Sequence, residues 1–155
     1  IKDIRLIQMG DFSKLTPGFK SMIAEKKLEE YIIMTDFQKN AYSFLPQFDT
    51  FVVTSEREGG PSSLVEALYY KAPIVSTRVG VVDEVIEDGV NGYSVPIKSP
   101  GLMAEKILKI KKNPALKTQF ADKSYKIFLQ KFTAERYGEA TFAVYKDMMQ
   151  KELHR

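Results

Sequence analysis

Short runs of apolar, β-branched residues alternate with longer segments of helical periodicity along most of this chain. Five runs are typical of strands: residues 4–10, 31–35, 50–55, 72–78 and 92–97. Because these runs are apolar on both faces and are separated by helices, they predict parallel strands in βαβ units, with helices covering both faces of the sheet. Right-handed crossovers then give an α/β fold with a doubly wound, Rossmann-like parallel sheet and C-terminal helices.

The segments between and after the strands have the periodicity of amphipathic helices. The predicted helices cover residues 17–30, 39–48, 62–71, 99–112, 114–131 and 133–152. A length of 155 residues is that of one domain, so we expect a single domain over residues 1–155. The chain begins with Ile rather than Met, which leads us to expect a piece of a longer protein.

Composition excludes several classes of site. The sequence has no Cys, which removes disulfides, thiolate metal sites and a Cys nucleophile. The single His is His154, next to the last residue, so a His-based triad or a zinc site is not expected. No apolar run approaches the roughly 18 residues of a membrane span. These observations leave carboxylates, hydroxyls and backbone groups as the candidates for a functional site.

Positive charge is concentrated between Lys98 and Lys131, where nine Lys stand against two acids, Glu105 and Asp122. One interpretation is a set of solvated faces on surface helices. The other is a surface that contacts anionic lipid or another polyanion. The sequence leaves both open.

The stretch EGGPSS, residues 58–63, has the parts of an anion site between a strand and a helix. Two glycines let a ligand approach the backbone closely, and Pro61 presets a helical φ. The free N–H groups of the first helical turn then meet an anion along the helix dipole. This is a phosphate cradle without the lysine of a Walker A motif.

Two carboxylates flank that cradle, Glu58 before it and Glu66 within the following helix. Ser62, Glu66 and Tyr70 are spaced four residues apart, so they share one polar face of the predicted helix. Glu66 would therefore lie one turn behind the phosphates. A carboxylate at that position can accept both hydrogen bonds of a ribose diol. The alternative is a capping box over Ser63-Leu64-Val65-Glu66, in which Glu66 only accepts a hydrogen bond from a backbone N–H group.

The motifs S-x-x-E-G-G-P-S-S-L-V-E-A-L, K-A-P-I-V-S-T-R-V-G and E-V-I-E-D-G-V-N-G-Y-S-V-P resemble the donor-binding half of GT-B retaining glycosyltransferases of family 4. The resemblance extends from the strand that ends at Gly10-Asp11 to the helical tail with K-F-T-A-E-R-Y. It implies the C-terminal, donor-binding domain of such an enzyme, with the N-terminal acceptor-binding domain outside this chain.

The resemblance also implies a role for each matching position. Glu58 is similar to the catalytic-site residue that contacts hydroxyls of the donor sugar, and Glu66 to the Glu that binds the ribose. Gly10 would line the floor of the cleft. The other donor-binding residues are Thr35, Asp36 and Phe37 against the nucleobase and Gly59, Gly60, Pro61, Ser62, Ser63 and Leu64 around the diphosphate.

The implied activity is transfer of a sugar, with retention, from a nucleoside diphosphate sugar to a sugar, glycan or lipid-linked acceptor in cell-surface polysaccharide or glycolipid synthesis. No cofactor, no metal and no nucleic acid is expected. The setting is cytoplasmic, with peripheral membrane contact. The Arg and Lys that the family uses to neutralise the diphosphate fall before Ile1, and Val79-Gly80-Val81 replaces its usual V-G-G. We therefore expect this chain alone to be inactive.

Two other functional classes remain open. The first is a non-catalytic nucleotide-binding or partner-binding module of the same fold, which would keep the cradle without turnover. The second is another enzyme on the same architecture, such as a nucleotide-sugar epimerase, but this needs acid and base groups that a chain with one His hardly offers. Fold alone does not separate these classes, because doubly wound sheets support many activities.

Overall fold

The computed structural model describes residues 3–10, 17–60 and 62–153. It divides the chain into two compact units, residues 1–41 and 42–155. All five strands are parallel to their neighbours, and helices separate them. The α/β, Rossmann-like class is thereby confirmed. The described strand pairs form a two-stranded and a three-stranded sheet, one in each unit, whereas the sequence predicted one sheet. Whether residues 1–155 act as one donor-binding domain stays a prediction.

The first unit contains two paired strands and one α-helix among its described residues. The elements are β1 (Leu6–Met9), α1 (Pro17–Glu25), a one-turn 3-10 helix (Glu29–Tyr31) and β2 (Ile32–Thr35). In β1 and β2, Leu6, Ile33 and Met34 are 40–46% exposed. Among the described residues of this unit, the prediction that both faces of every strand are covered is not met, since the α-helix they provide has nine residues.

Helix α1 ends five residues earlier than predicted. The N–H of Leu28 donates to the carbonyl of Ile23, and the N–H of Lys27 donates to the carbonyl of Ala24. This pair of bonds is a Schellman motif, in which the residue at C′ adopts a left-handed conformation. Lys27 has φ 52° and takes the place where Gly is usual, so the sequence contains no sign of this helix end.

The second unit contains the rest of the fold. Its strands are β3 (Phe51–Val53), β4 (Ile74–Thr77) and β5 (Gly92–Val95), in the order β3-β4-β5. A 3-10 helix (Ala41–Gln47), which lies within the helix predicted over residues 39–48, precedes β3 and includes Pro46. The α-helices are α2 (Ser62–Tyr69), α3 (Val82–Val85), α4 (Pro100–Lys111), α5 (Pro114–Lys131) and α6 (Ala134–Leu153).

Two apolar clusters lie on the two faces of this three-stranded sheet, as the continuous apolar runs predicted. On one face Ile74 packs with Leu64 and Leu68 of α2, and on the other Val75 packs with Ile110 of α4 and Phe120 of α5. All of these side chains are buried. Because successive strand residues point to opposite faces, Ile74 and Val75 belong to different clusters.

The turn DGVNG between α3 and β5 is built around a buried amide. The side chain of Asn91 accepts a hydrogen bond from the N–H of Glu87 (2.8 Å) and donates one to the carbonyl of Val85 (3.0 Å). Helix α3 ends at Val85, and the side chain of Asp88 accepts a hydrogen bond from the N–H of Ser94.

Helix α6 carries an apolar face that the described residues leave exposed. Phe142 and Tyr145 are 70% and 63% exposed. In the part of the chain that the structure describes, no helix combines the length and the apolar character that crossing a membrane requires.

Candidate functional site

Glu58 lies in the loop between β3 and α2 and is held by a side-chain hydrogen bond. The hydroxyl of Ser55 donates to Oε1 of Glu58 at 2.6 Å, and both side chains are half-buried. Ser55 is in turn held through its carbonyl, which accepts from the hydroxyl of Thr77 at 2.6 Å. The first carboxylate predicted for the site therefore has a defined place at the carboxyl end of the sheet.

The first turn of α2 begins at residues that were predicted to bind the diphosphate. Ser62, Ser63 and Leu64 are its first three residues, whose N–H groups have no partner within an α-helix. The Leu64 side chain is fully buried, which fixes this end of the helix on the sheet. A Cβ added at Gly59 or Gly60 would meet no atom within 4 Å, so the space beside the turn is open. Pro61 lies outside the described residues.

Glu66 is the fifth residue of α2 and is exposed. A capping box places its Glu at the third helical position, so Glu66 lies too deep in the helix to serve as a cap. Its carboxylate accepts no hydrogen bond from any other described residue. The phenol of Tyr70 stands one turn further on, and its pKa is raised by burial, by Tyr42 and Tyr69, and by the Glu66 carboxylate. Glu66 is thus available to a ligand.

A groove of about 530 Å³ opens beside this helix within the second unit. One wall carries Ser62 and Glu66 from α2, and the other carries Lys131, Thr133 and Tyr137 around the junction of α5 and α6. Ser62 and Glu66 thus share one face of α2 as expected, whereas Tyr70, which was expected on the same polar face, packs against the apolar core and the ring of Tyr42. The second wall has no counterpart among the sequence-predicted site residues.

The predicted nucleobase segment belongs to the first unit. The N–H of Gly10 donates to the carbonyl of Thr35 at 3.2 Å, so the ends of β1 and β2 are joined. Gly10 has φ 142°, a conformation that other residues rarely adopt. After Thr35, the backbone carbonyl of Asp36 accepts from the side chain of Gln38, and the ring of Phe37 is 77% exposed. The structure thus brings Gly10 and Thr35 together.

Three residues beside Glu58 were not assigned by sequence reasoning: Ser55, Thr77 and Gly80. The sequence offered two signals. The spacing S-x-x-E places a hydroxyl three residues before the carboxylate, and Val79-Gly80-Val81 stands where the family usually has V-G-G. Thr77 and Gly80 are far from Glu58 in the sequence and reach it only through the pairing of β3 with β4.

Charged side chains elsewhere form ordinary surface contacts. Within the described ranges, no three His, Asp or Glu side chains come together as a metal site would need. From the Lys-rich segment, Lys98 and Lys106 form ion pairs with Glu56 and Glu105. The first pair is exposed and the second has a half-buried Lys106, and surface ion pairs of this kind contribute little to stability.

Comparison with known proteins identifies the family. Residues 2–127 match the model of glycosyl transferases group 1. The chain is 30% identical to the poly(ribitol-phosphate) alpha-N-acetylglucosaminyltransferase of Staphylococcus aureus (strain COL) over 115 residues, which are 74% of this chain and 23% of that protein. The chain thus spans about a quarter of the length of this relative.

Two solved structures have the same fold. A mutant of S. aureus TarM, in complex with fondaparinux, alpha-GlcNAc-glycerol and UDP, matches with a TM-score of 0.82 and 28% identity over 93% of this chain and 30% of that one. Anabaena Alr3699/HepE in complex with UDP matches with a TM-score of 0.87 and 20% identity over 93% of this chain and 41% of that one. The expected resemblance to GT-B glycosyltransferases is therefore confirmed, and the chain belongs to the family of glycosyl transferases group 1.

Proposed function

We propose that this chain is the donor-binding half of a retaining glycosyltransferase. The longer protein would transfer a sugar from a nucleoside diphosphate sugar to an acceptor in cell-surface polysaccharide or glycolipid synthesis. Membership of the family supports glycosyl transfer. The observation that carries the proposal is the wall formed by Ser62 and Glu66. It places a carboxylate that has no hydrogen-bond partner among the described residues one turn behind a helix N-terminus.

The chemistry assigned to each group follows from its charge and position. The N–H groups at the start of α2 would bind the diphosphate and stabilise the charge that develops on it as it leaves. Glu66 would accept hydrogen bonds from the ribose diol, and Glu58 from hydroxyls of the donor sugar. Gly10, Thr35, Asp36 and Phe37 remain proposed contacts of the cleft floor and the nucleobase. The reaction is proposed to need no metal.

The acceptor is proposed to bind another domain of the longer protein, across a cleft that closes on the donor. The exposed apolar face of α6 would then be covered by that domain. The basic pair that neutralises the diphosphate is expected there too. This chain alone should therefore bind the donor weakly and transfer little sugar. Cytoplasmic location and peripheral membrane contact through the Lys-rich segment remain predictions.

Calorimetric titration of this chain with UDP, GDP and ADP tests the proposal. UDP is the first choice because the TarM complex contains it. One nucleotide should bind, and Glu66→Ala should abolish most of that binding. Glu105→Ala is the matched control, because it removes an exposed carboxylate from α4 and should leave binding unchanged. Equal binding by wild type and Glu66→Ala would refute the ribose role.

A second experiment separates the enzyme from a non-catalytic module. The longer protein is incubated with a UDP-sugar and candidate glycan acceptors, and transferred sugar is measured. Transfer that depends on Glu66 supports the enzyme. Nucleotide binding without any transfer or donor hydrolysis would instead indicate a binding module of the same fold.

A further inference from the structure

The orientation of Glu58 is determined by residues of a neighbouring strand as well as by its own loop. Thr77, the last residue of β4, is 4% exposed, and its hydroxyl donates to the carbonyl of Ser55 at 2.6 Å. The same hydroxyl lies 3.5 Å from the carbonyl of Val53. The hydroxyl of Ser55 then donates to Oε1 of Glu58 at 2.6 Å. Two consecutive short hydrogen bonds thus connect the buried sheet to the carboxylate.

The loop gives Glu58 few other restraints. Residues 54–60 form neither helix nor strand, and a Glu side chain in such a loop normally samples several rotamers. A hydroxyl that donates to an ionised carboxylate makes a short, strong bond, which favours one of those rotamers. Among the described residues, Oε2 of Glu58 has no hydrogen-bond partner, so one carboxylate oxygen remains for a ligand.

The backbone of Glu58 is fixed by a third contact. Gly80, in the loop after β4, has φ 53°, and a Cβ placed on it would lie 2.3 Å from the carbonyl oxygen of Glu58. Only glycine allows the two loops to approach this closely. Ser55, Thr77 and Gly80 therefore act on the side chain, on the loop and on the backbone of Glu58, respectively.

We propose that Ser55 and Thr77 are positioning residues, which hold the Glu58 carboxylate in the orientation needed to accept hydrogen bonds from the donor sugar, with Gly80 fixing the backbone beneath it. This inference rests on the proposed function, in which Glu58 contacts the sugar. It predicts that these residues affect recognition of the sugar but leave recognition of the nucleotide unchanged, because the cradle and Glu66 belong to α2.

The test compares the affinities of this chain for UDP and for UDP-N-acetylglucosamine, by calorimetry. We expect Ser55→Ala and Thr77→Val to reduce the preference for the UDP-sugar over UDP by about tenfold, or about 1.4 kcal/mol, with UDP affinity unchanged. Ser55→Thr and Thr77→Ser keep the hydroxyl and should restore the preference. Ser124→Ala removes another buried hydroxyl, which donates to the carbonyl of Asn91, and should lower stability without changing the preference.

A second measurement does not need a ligand. Three-bond NMR couplings of Glu58 should report one χ1 rotamer in the wild-type protein and averaging in Ser55→Ala and Thr77→Val. Averaged couplings in the wild type, or an unchanged preference in both variants, would overturn the positioning role. Failure of the wild type to bind either nucleotide would count against the proposed function, while the couplings would still decide whether Glu58 is held.

Discussion

Gly80→Ala is the substitution for which the structure predicts the sharpest effect. Ordinary contact between a Cβ and its neighbours begins at 3.4 Å, whereas the new methyl group would stand 2.3 Å from the carbonyl oxygen of Glu58. That oxygen is part of the backbone and cannot rotate away. One of the two loops must therefore move by about 1 Å.

Two contributions determine the size of the loss. A left-handed φ costs alanine about 1 to 2 kcal/mol, which the lower entropy of the unfolded chain offsets by about 0.5 to 1 kcal/mol. Forcing a methyl group into occupied space adds about 1 to 3 kcal/mol. We expect the free energy of unfolding to fall by about 3 kcal/mol in total.

The functional effect follows from the displacement of Glu58. A misplacement of about 1 Å in a group that orients a substrate can reduce the rate about 100-fold. We therefore expect Gly80→Ala to lose the preference for a UDP-sugar over UDP, while the affinity for UDP changes little. Urea unfolding measures the stability, and the two titrations measure the preference.

Two further variants complete this experiment. Gly101→Ala on α4 adds a methyl group where no atom lies within 4 Å, and should be neutral or stabilising by up to about 1 kcal/mol. Gly80→Asn should be about 1 kcal/mol less destabilising than Gly80→Ala, because Asn tolerates the positive φ better. It should still be less stable than the wild type, because its Cβ meets the same carbonyl. If Gly80→Ala unfolds at the same urea concentration as Gly101→Ala, the close approach of the two loops is refuted.

Three other predictions concern the turn, the end of α1 and the groove. Asn91→Ala removes the partner of the buried Val85 carbonyl and of the part-buried Glu87 N–H, so urea unfolding should show a loss of about 2 to 3 kcal/mol; a loss below about 1 kcal/mol would contradict the role of this amide. Lys27→Gly removes the cost of a left-handed lysine at the end of α1 and should stabilise the protein by up to about 1 kcal/mol. The melting temperature should rise; an unchanged melting temperature would contradict this prediction. Glu66→Gln removes a negative charge beside Tyr70 and should lower the pKa of that phenol, measured by NMR titration of the tyrosine ring carbons; a pKa equal to that of the wild type would show that the two groups do not interact. Because the folded-state pKa of Tyr70 is raised, its contribution to stability is present below pH 10 and is lost as the pH rises through the folded-state value.

The sequence predicted the elements that its periodicity encodes. Strand-like apolar runs identified β4 and β5, and both are fully buried. The pattern of Leu64, Ala67 and Leu68 predicted the buried face of α2, and the same pattern placed Ser62 and Glu66 on its polar face. These predictions hold because burial of one face repeats at the period of the helix or strand.

Periodicity in the sequence does not predict features that depend on the backbone conformation of a single residue. Lys27 and Lys71 both adopt a left-handed conformation at a helix end, where the sequence offers no glycine. Leu6, Ile33 and Met34 of β1 and β2 are partly exposed in the structure, while the apolar sequence of these strands predicted cover. Local sequence encodes neither result. The backbone conformation at a helix end and the cover of a strand both depend on the elements packed around them.

By itself, the sequence determined that two carboxylates flank a strand-to-helix turn, and its motifs indicated the family. Only the tertiary structure decided how Glu58 is held. The hydroxyl of Thr77 reaches the carbonyl of Ser55 across 22 residues of chain, because the parallel register of β3 and β4 pairs Val53 with Ser76. A hydrogen bond of this kind depends on strand register, which is set by the packing of the whole sheet and leaves no periodic pattern in the sequence.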